Sequence, residues 1–209
     1  EIDIAKVEEP VNRWIVAEYN EAIAKTTAAI EAYRFNEAAD ALYSFVWHSY
    51  CDWYVELIKP QLDGDATETR ATAAAILGGS LRLLHPIMPY LTEELNEKIF
   101  ASSDMMITEA WPDAVALPQT DSPKEIGFLI NLISDIRYMR SEMNVPLSAK
   151  PVLQLRGASD LQTRSVEVNR AALLRLARLE GIETVENFGS GPARGTVDGV
   201  DIGLPLPGI

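Results

Sequence analysis

The sequence predicts a mainly α protein: a helical bundle over residues 1–122, then a small α+β segment over residues 123–209 in the order α-β-α-β-β. Three observations carry this. Through the first hundred residues, apolar side chains recur at helical spacing rather than alternately. Past Pro146 and Pro151 the period drops toward 2, the mark of strands. The charge divides at the same place: residues 1–122 hold 8 Lys/Arg against 21 Asp/Glu, and residues 123–209 hold 10 of each.

Each element follows from local chemistry. From Asn12 to Arg34, Ile15, Tyr19, Ala22, Ile30 and Tyr33 fall on one helical stripe, with Glu18, Glu21 and Lys25 off it. Asn36 is a suitable N-cap for a second helix running to Lys59, with Pro60 marking its end. That helix carries two apolar stripes, Leu42, Phe45, Val46, Trp53 and Leu57 on one side and Tyr43, Trp47, Tyr54 and Ile58 on the other. A helix apolar on both sides is expected between neighbours. Asp65 opens a third helix, with Glu68 placed as in a capping box and Ala73, Ala74, Leu77, Leu81 and Leu84 as its stripe. Gly78-Gly79 inside it points to close helix contact. His85-Pro86 ends it, and Pro89 starts a short fourth helix to about Phe100.

Residues 102–122 read as a loop. Ile126–Met143 reads as a helix, Val152–Arg156 as a strand, and Ser159 as the cap of a helix reaching Leu179 and closed by Gly181. Ile182–Phe188, Gly195–Val197 and Val200–Leu206 read as strands, the last two joined at Asp198-Gly199.

Composition narrows function. An apolar fraction of 47% allows a real core. No apolar run approaches the roughly 18 residues of a membrane span, and no signal-peptide pattern opens the chain. A start at Glu1 rather than Met suggests a processed or excised chain. One cysteine, Cys51, excludes an internal disulfide and fits a reducing cytoplasm, and Cys51 with His48 and His85 cannot build a structural zinc site. A net charge of −13 argues, on composition alone, against nucleic acid.

No catalytic constellation emerges. His48 and Asp52 are i,i+4 and can bond. Cys51 points about 60° from His48 and about 100° from Asp52 on the same rigid helix, so the three do not converge. A polar seam inside the bundle explains them better. His85 is expected to satisfy a helix C-terminus. Gly189-Ser190-Gly191 lacks the lysine and helix of a phosphate loop. Binding has better candidates. Arg13 stands beside Trp14, on the polar side of the first stripe, where a partly exposed ring could stack on an unpaired base. Packing of Trp14 on a neighbouring helix is the plainer alternative. Arg137 and Arg140 are i,i+3 neighbours, with Lys150, Arg156, Arg170, Arg175 and Arg178 following. They could meet phosphates, though solvated or ion-paired surface charge is the commoner role.

Three strings add to this. Residues 47–60 read WHSYCDWYVELIKP, residues 81–95 read LRLLHPIMPYLTEEL with EAWP at 109–112, and residues 136–146 read IRYMRSEMNVP. The second resembles the anticodon-binding bundle shared by valyl, isoleucyl, leucyl and methionyl class I aminoacyl-tRNA synthetases. The first and third, with ADALYSF at 39–45, resemble the valyl branch. The tail, including VNRA at 168–171 and the LPLPG end, is similar to that branch's segment before a C-terminal coiled coil. The resemblance implies an anticodon-binding helical bundle, tRNA (valine acceptor) as partner, and no DNA or membrane. It implies a cytoplasmic, monomeric parent, valine–tRNA ligase, that uses ATP. It also implies that this chain holds neither the catalytic nor the editing domain, since no HIGH-like or KMSKS-like string is present. The family's first bundle helix would precede Glu1, and its coiled coil would follow Ile209. Carried onto this sequence, the resemblance assigns tRNA contact to Arg13 and Trp14. Lys59 and Arg82 join them by helix end and face, and Arg137 and Arg140 by charge. A helical protein-interaction module without RNA binding, or the same module from an isoleucyl, leucyl or methionyl enzyme, stands as the alternative.

Overall fold

A computed structural model describes residues 3–102, 104–189 and 193–205. Two compact units meet between Thr120 and Asp121. The sequence puts this division two residues later. The chain turns helical already at Ser122, where Pro123 supplies the fixed φ of a first turn.

The N-terminal unit is a bundle of α1 (Pro10–Glu31), α2 (Phe35–Tyr43), α3 (Val55–Ile58), α4 (Thr67–Leu84) and α5 (Pro89–Phe100). α1 lies against α2, the segment that follows it, and α4. It therefore buries a wide sector, including Val11, Trp14, Ile15, Tyr19, Ile23 and Ala29. Trp14 is only 5% exposed. Of the two readings of Trp14, the packed one holds and the base-stacking one is corrected: a helix with several neighbours has no free flank 100° from its main stripe. The helix also stops earlier than expected, at Glu31, and Tyr33 adopts φ 57° in the turn.

The second predicted helix is not a uniform α-helix. Between α2 and α3, residues Ser44–Tyr54 form a π-helix. Its wider turn changes which side chains face inward: Phe45, Tyr50 and Tyr54 are buried, at spacings of five and four. Tyr43 and Trp47, expected between neighbours, face solvent. Leu42, Leu57 and Ile58 are buried as expected.

In α4 the buried stripe is also rotated from the predicted one. It carries Thr69, Thr72, Ile76, Gly79, Ser80 and Leu83, with Leu81. Ala74 is exposed. Ser80 can face the core because a helical Ser returns its proton to the preceding turn: its Oγ donates to the Ile76 carbonyl at 2.6 Å. Gly79 sits under the Tyr19 phenol, where a Cβ would come 2.0 Å from the hydroxyl oxygen, whereas a Cβ on Gly78 would meet only Phe100 at 3.5 Å. Two neighbouring alanine substitutions are therefore expected to act with opposite sign. Gly79→Ala should destabilise by about 1–3 kcal/mol through overpacking against a buried ring. Gly78→Ala should be neutral or stabilise by up to about 1 kcal/mol through helix propensity. Urea unfolding followed by tryptophan fluorescence reads both, since all four tryptophans lie before residue 112.

The C-terminal unit packs α6 (Ser122–Glu142) against α7 (Asp160–Val168), α8 (Arg170–Ala177) and a four-stranded sheet. The strands are β1 (Val152–Arg156), β2 (Gly181–Thr184), β3 (Ala193–Val197) and β4 (Val200–Leu204), ordered β2-β1-β4-β3. β1 and β2 run parallel across the α7–α8 crossover, and the other two pairings are antiparallel. Asp198 and Gly199 both take positive φ, as a tight hairpin requires. Ser159 and Gln162 form a reciprocal capping box. The single helix expected from Ser159 is broken at Asn169, whose side-chain amide bonds the Ser165 carbonyl at 2.9 Å. The strand expected to reach Phe188 stops at Thr184. Leu206, Pro207 and Gly208 of the LPLPG end, and Ser190-Gly191 of the glycine pair, lie outside the described residues.

Candidate nucleic-acid interface

One end of the N-terminal unit is fastened by a single carboxylate. Glu68, in the first turn of α4, accepts from the backbone amides of Glu8 and Glu9 at 3.0 Å each and from Asn12 Nδ2 at 2.8 Å. The capping-box role expected of Glu68 is thus replaced: it caps the N-terminus of α1, whose own Glu9 makes no side-chain cap. Asp65 serves α4 instead, accepting from the Thr67 amide and hydroxyl. Asn12, fully buried, also donates to Thr69 and accepts from the Tyr54 hydroxyl at 2.8 Å. Burial raises the Tyr54 phenol well above its usual range. Burial alone would raise Glu68 too. The bonds from Asn12, Glu8 and Glu9, with the Arg13 charge nearby, outweigh it and hold the carboxyl below its ordinary 4.5.

Three cations stand on or next to the segments this network joins. Arg13 Nε donates to the Val7 carbonyl at 2.8 Å. Lys59 pairs with Glu56 on the same helix turn. Arg70 Nη2 reaches the Leu62 carbonyl at 2.7 Å, closing the turn between α3 and α4. The sequence reading missed Arg70; its place in the first turn of α4, beside Glu68, was the available signal.

Arg82 does not join them. It pairs with Glu109 at 2.5 Å, twelve residues along α4 from Arg70, or about 18 Å at 1.5 Å per residue. There it belongs to a second structured end. His85 Nδ1 lies 2.8 Å from Thr92 Oγ1, which donates back to the carbonyls of Met88 and Pro89. The His85 ring thus ties the start of α5, while its backbone amide, as C-cap of α4, donates to the Arg82 carbonyl. Glu93 accepts the Met106 amide, and Trp111 Nε1 donates to Thr27 Oγ1 at 2.9 Å. The 102–122 loop is therefore held to the helices by specific bonds.

In the C-terminal unit, Arg137 Nε donates to the Leu176 carbonyl at 3.0 Å from an exposed position. Arg140 is only 7% exposed, and its guanidinium serves the carbonyls of Arg178, Pro146 and Ala149. Its expected surface role is corrected: two carbonyls of the turn after α6 and one after α8 draw it inward. Arg156 pairs with Asp201 and Arg170 with Glu167.

The His48–Asp52 bond forms at 3.3 Å, yet both residues and Cys51 face solvent rather than a seam in the bundle. Among the described residues no group of three His, Cys, Asp or Glu side chains could hold a metal, and no helix is long and apolar enough to cross a membrane.

Comparison with known proteins bears on this geometry. Residues 12–155 match the family described as the anticodon-binding domain of tRNA ligase. The chain is 44% identical to a valine–tRNA ligase of Caulobacter vibrioides over 91% of its length, and 41% identical to that of Rhizobium meliloti over 94%. It is 39% identical to that of Granulibacter bethesdensis over 99%. The chain spans 22%, 21% and 24% of these relatives, respectively.

Proposed function

Because this chain belongs to the anticodon-binding domain family of tRNA ligases, we propose that it recognises the anticodon arm of a valine-accepting tRNA, as the recognition module of a valine–tRNA ligase. The family match over 12–155, joined to identities of about 40% with valine enzymes, carries this reading. On the same reading the parent enzyme is cytoplasmic and monomeric, couples valine to its tRNA with ATP, and binds ATP and valine through residues other than these. The chain itself contributes binding alone.

The end of the bundle formed by Arg13, Lys59 and Arg70 is the proposed contact. Its cations are paired with carbonyls or with a neighbouring carboxylate, so RNA phosphates compete with existing partners rather than meeting bare charge. Exposed ion pairs of this kind are worth little, and exchanging them for phosphate is inexpensive. Trp14, being buried, supports α1 beneath this end and does not stack on a base there. Arg82 and Arg137 remain proposed phosphate contacts of lesser weight.

Titration of the chain with a valine tRNA at several salt concentrations tests this. With about three phosphates contacted, a log–log salt slope of about −2 to −3 is expected. Lys59→Ala should reduce that slope by about 1 and weaken all tRNAs alike. An unchanged slope in Lys59→Ala, Arg70→Ala and Arg13→Ala would remove this end of the bundle from the interface.

A further inference from the structure

A second surface of the N-terminal unit has chemistry unsuited to RNA. α2 and the π-helix present Asp40, Tyr43, Trp47, His48, Cys51 and Asp52 to solvent. The Tyr43 and Trp47 rings stack, with centroids 6.1 Å apart and planes 6° from parallel. The His48 ring meets Tyr43 edge-on at 5.5 Å and is held by Asp52. Tyr43 is 59% exposed and Trp47 53%. Two large rings are therefore ordered against each other without being buried, which marks a surface made for contact.

Charge selects the occupant. Asp40 lies three residues before Tyr43, and among the described residues it makes no ion pair. Asp52 borders the other side. Acidic residues outnumber basic ones 21 to 8 over residues 1–122. Each of those eight bases already has a carboxylate or carbonyl partner. Phosphate is repelled here, and a cation is attracted by both the carboxylates and the indole face.

We propose that this face docks a basic amphipathic helix of another protein, its apolar side chains on Tyr43 and Trp47, with one arginine or lysine paired to Asp40 at one end of the strip and a second paired to Asp52 at the other. The proposal is independent of the tRNA reading, which rests on other residues.

Cys51 provides the readout, being the chain's one cysteine and exposed within the strip. The probe is a synthetic 16-residue helical peptide alternating leucine and arginine faces. At saturation it should slow alkylation of Cys51 at least fivefold and shift one indole N–H resonance, assigned by its loss in Trp47→Phe. Trp47→Ala and the pair Asp40→Asn with Asp52→Asn should each weaken binding about tenfold, while Trp47→Phe, which keeps a ring, should bind nearly normally. Three results overturn the proposal: Cys51 reacting at its free rate in saturating peptide, equal protection by a peptide with glutamate in place of arginine, or protection by a uridine oligonucleotide but not by the peptide.

Discussion

Replacing Asn12 with alanine is expected to destabilise the N-terminal unit by about 2–4 kcal/mol. Asn12 joins three elements at once: it accepts from Tyr54, and donates to Glu68 and Thr69. Alanine leaves the buried Tyr54 hydroxyl without its 2.8 Å acceptor, which costs about 1–3 kcal/mol, and takes one of three donors from the Glu68 carboxylate, a charged bond that adds to the loss. Tyr54→Phe removes one donor only and should cost about half as much. The network also sets an acid response. Because the folded Glu68 carboxyl lies below its ordinary value, its contribution is complete above that value and is lost as pH falls through the folded one. The stability gap between the natural chain and Glu68→Gln should therefore be constant from pH 7 to about 5 and shrink below 4.5. Urea unfolding at pH 7, 5 and 3.5, read by tryptophan fluorescence, measures both effects. A gap that widens on acidification would contradict the assignment.

Arg140→Ala is expected to destabilise the C-terminal unit by a similar amount, about 2–4 kcal/mol. The guanidinium presents a planar fork, and here that fork spans three carbonyls belonging to α6's exit turn and to the residue after α8. Water cannot replace it fully, because the residue is buried. Arg140→Lys should recover less than half of the loss, since one ammonium cannot reach all three oxygens. Hydrogen exchange of the β1 and β4 amides reads this loss: both variants should accelerate it, alanine more than lysine. Equal exchange in Arg140→Ala and the natural chain would return Arg140 to the list of solvent-facing cations.

How much of this was legible in the sequence depended on how local each cause is. The Asp198-Gly199 hairpin, the Ser159 cap and the Pro89 start follow from chemistry within four residues, and they stand where the sequence puts them. Misplaced readings share a different feature: their causes lie across the fold. Glu68 has the spacing of a capping box, but its carboxylate is taken by the uncapped amides at the start of α1. The sequence places the stripe of α4 on Ala73, Ala74, Leu77, Leu81 and Leu84; Leu81 is buried there, but Ala74 is exposed, and threonine, serine and glycine share the core face. Ser44–Tyr54 winds as a π-helix, so a 3.6-residue period assigned Tyr43 and Trp47 to an interior they do not reach.

The candidate interface shows the same limit. The family resemblance points to Arg13 and a helix end to Lys59; Arg70, in the first turn of α4, adds a third cation. Arg82 lies on the same helix, about 18 Å along it from Arg70. For Trp14 and Arg140, residue type suggested binding, and burial assigns both to structure.

The central claim, that this chain reads the anticodon arm of a valine tRNA, is tested most directly by exchanging the anticodon. Binding is measured for a valine tRNA, for the same tRNA carrying another anticodon, and for an unrelated tRNA carrying the valine anticodon. Tighter binding should follow the valine anticodon into the unrelated tRNA and leave the tRNA that lost it. Equal affinity for all three, with the same salt slope, would reduce the interaction to nonspecific charge and contradict the account.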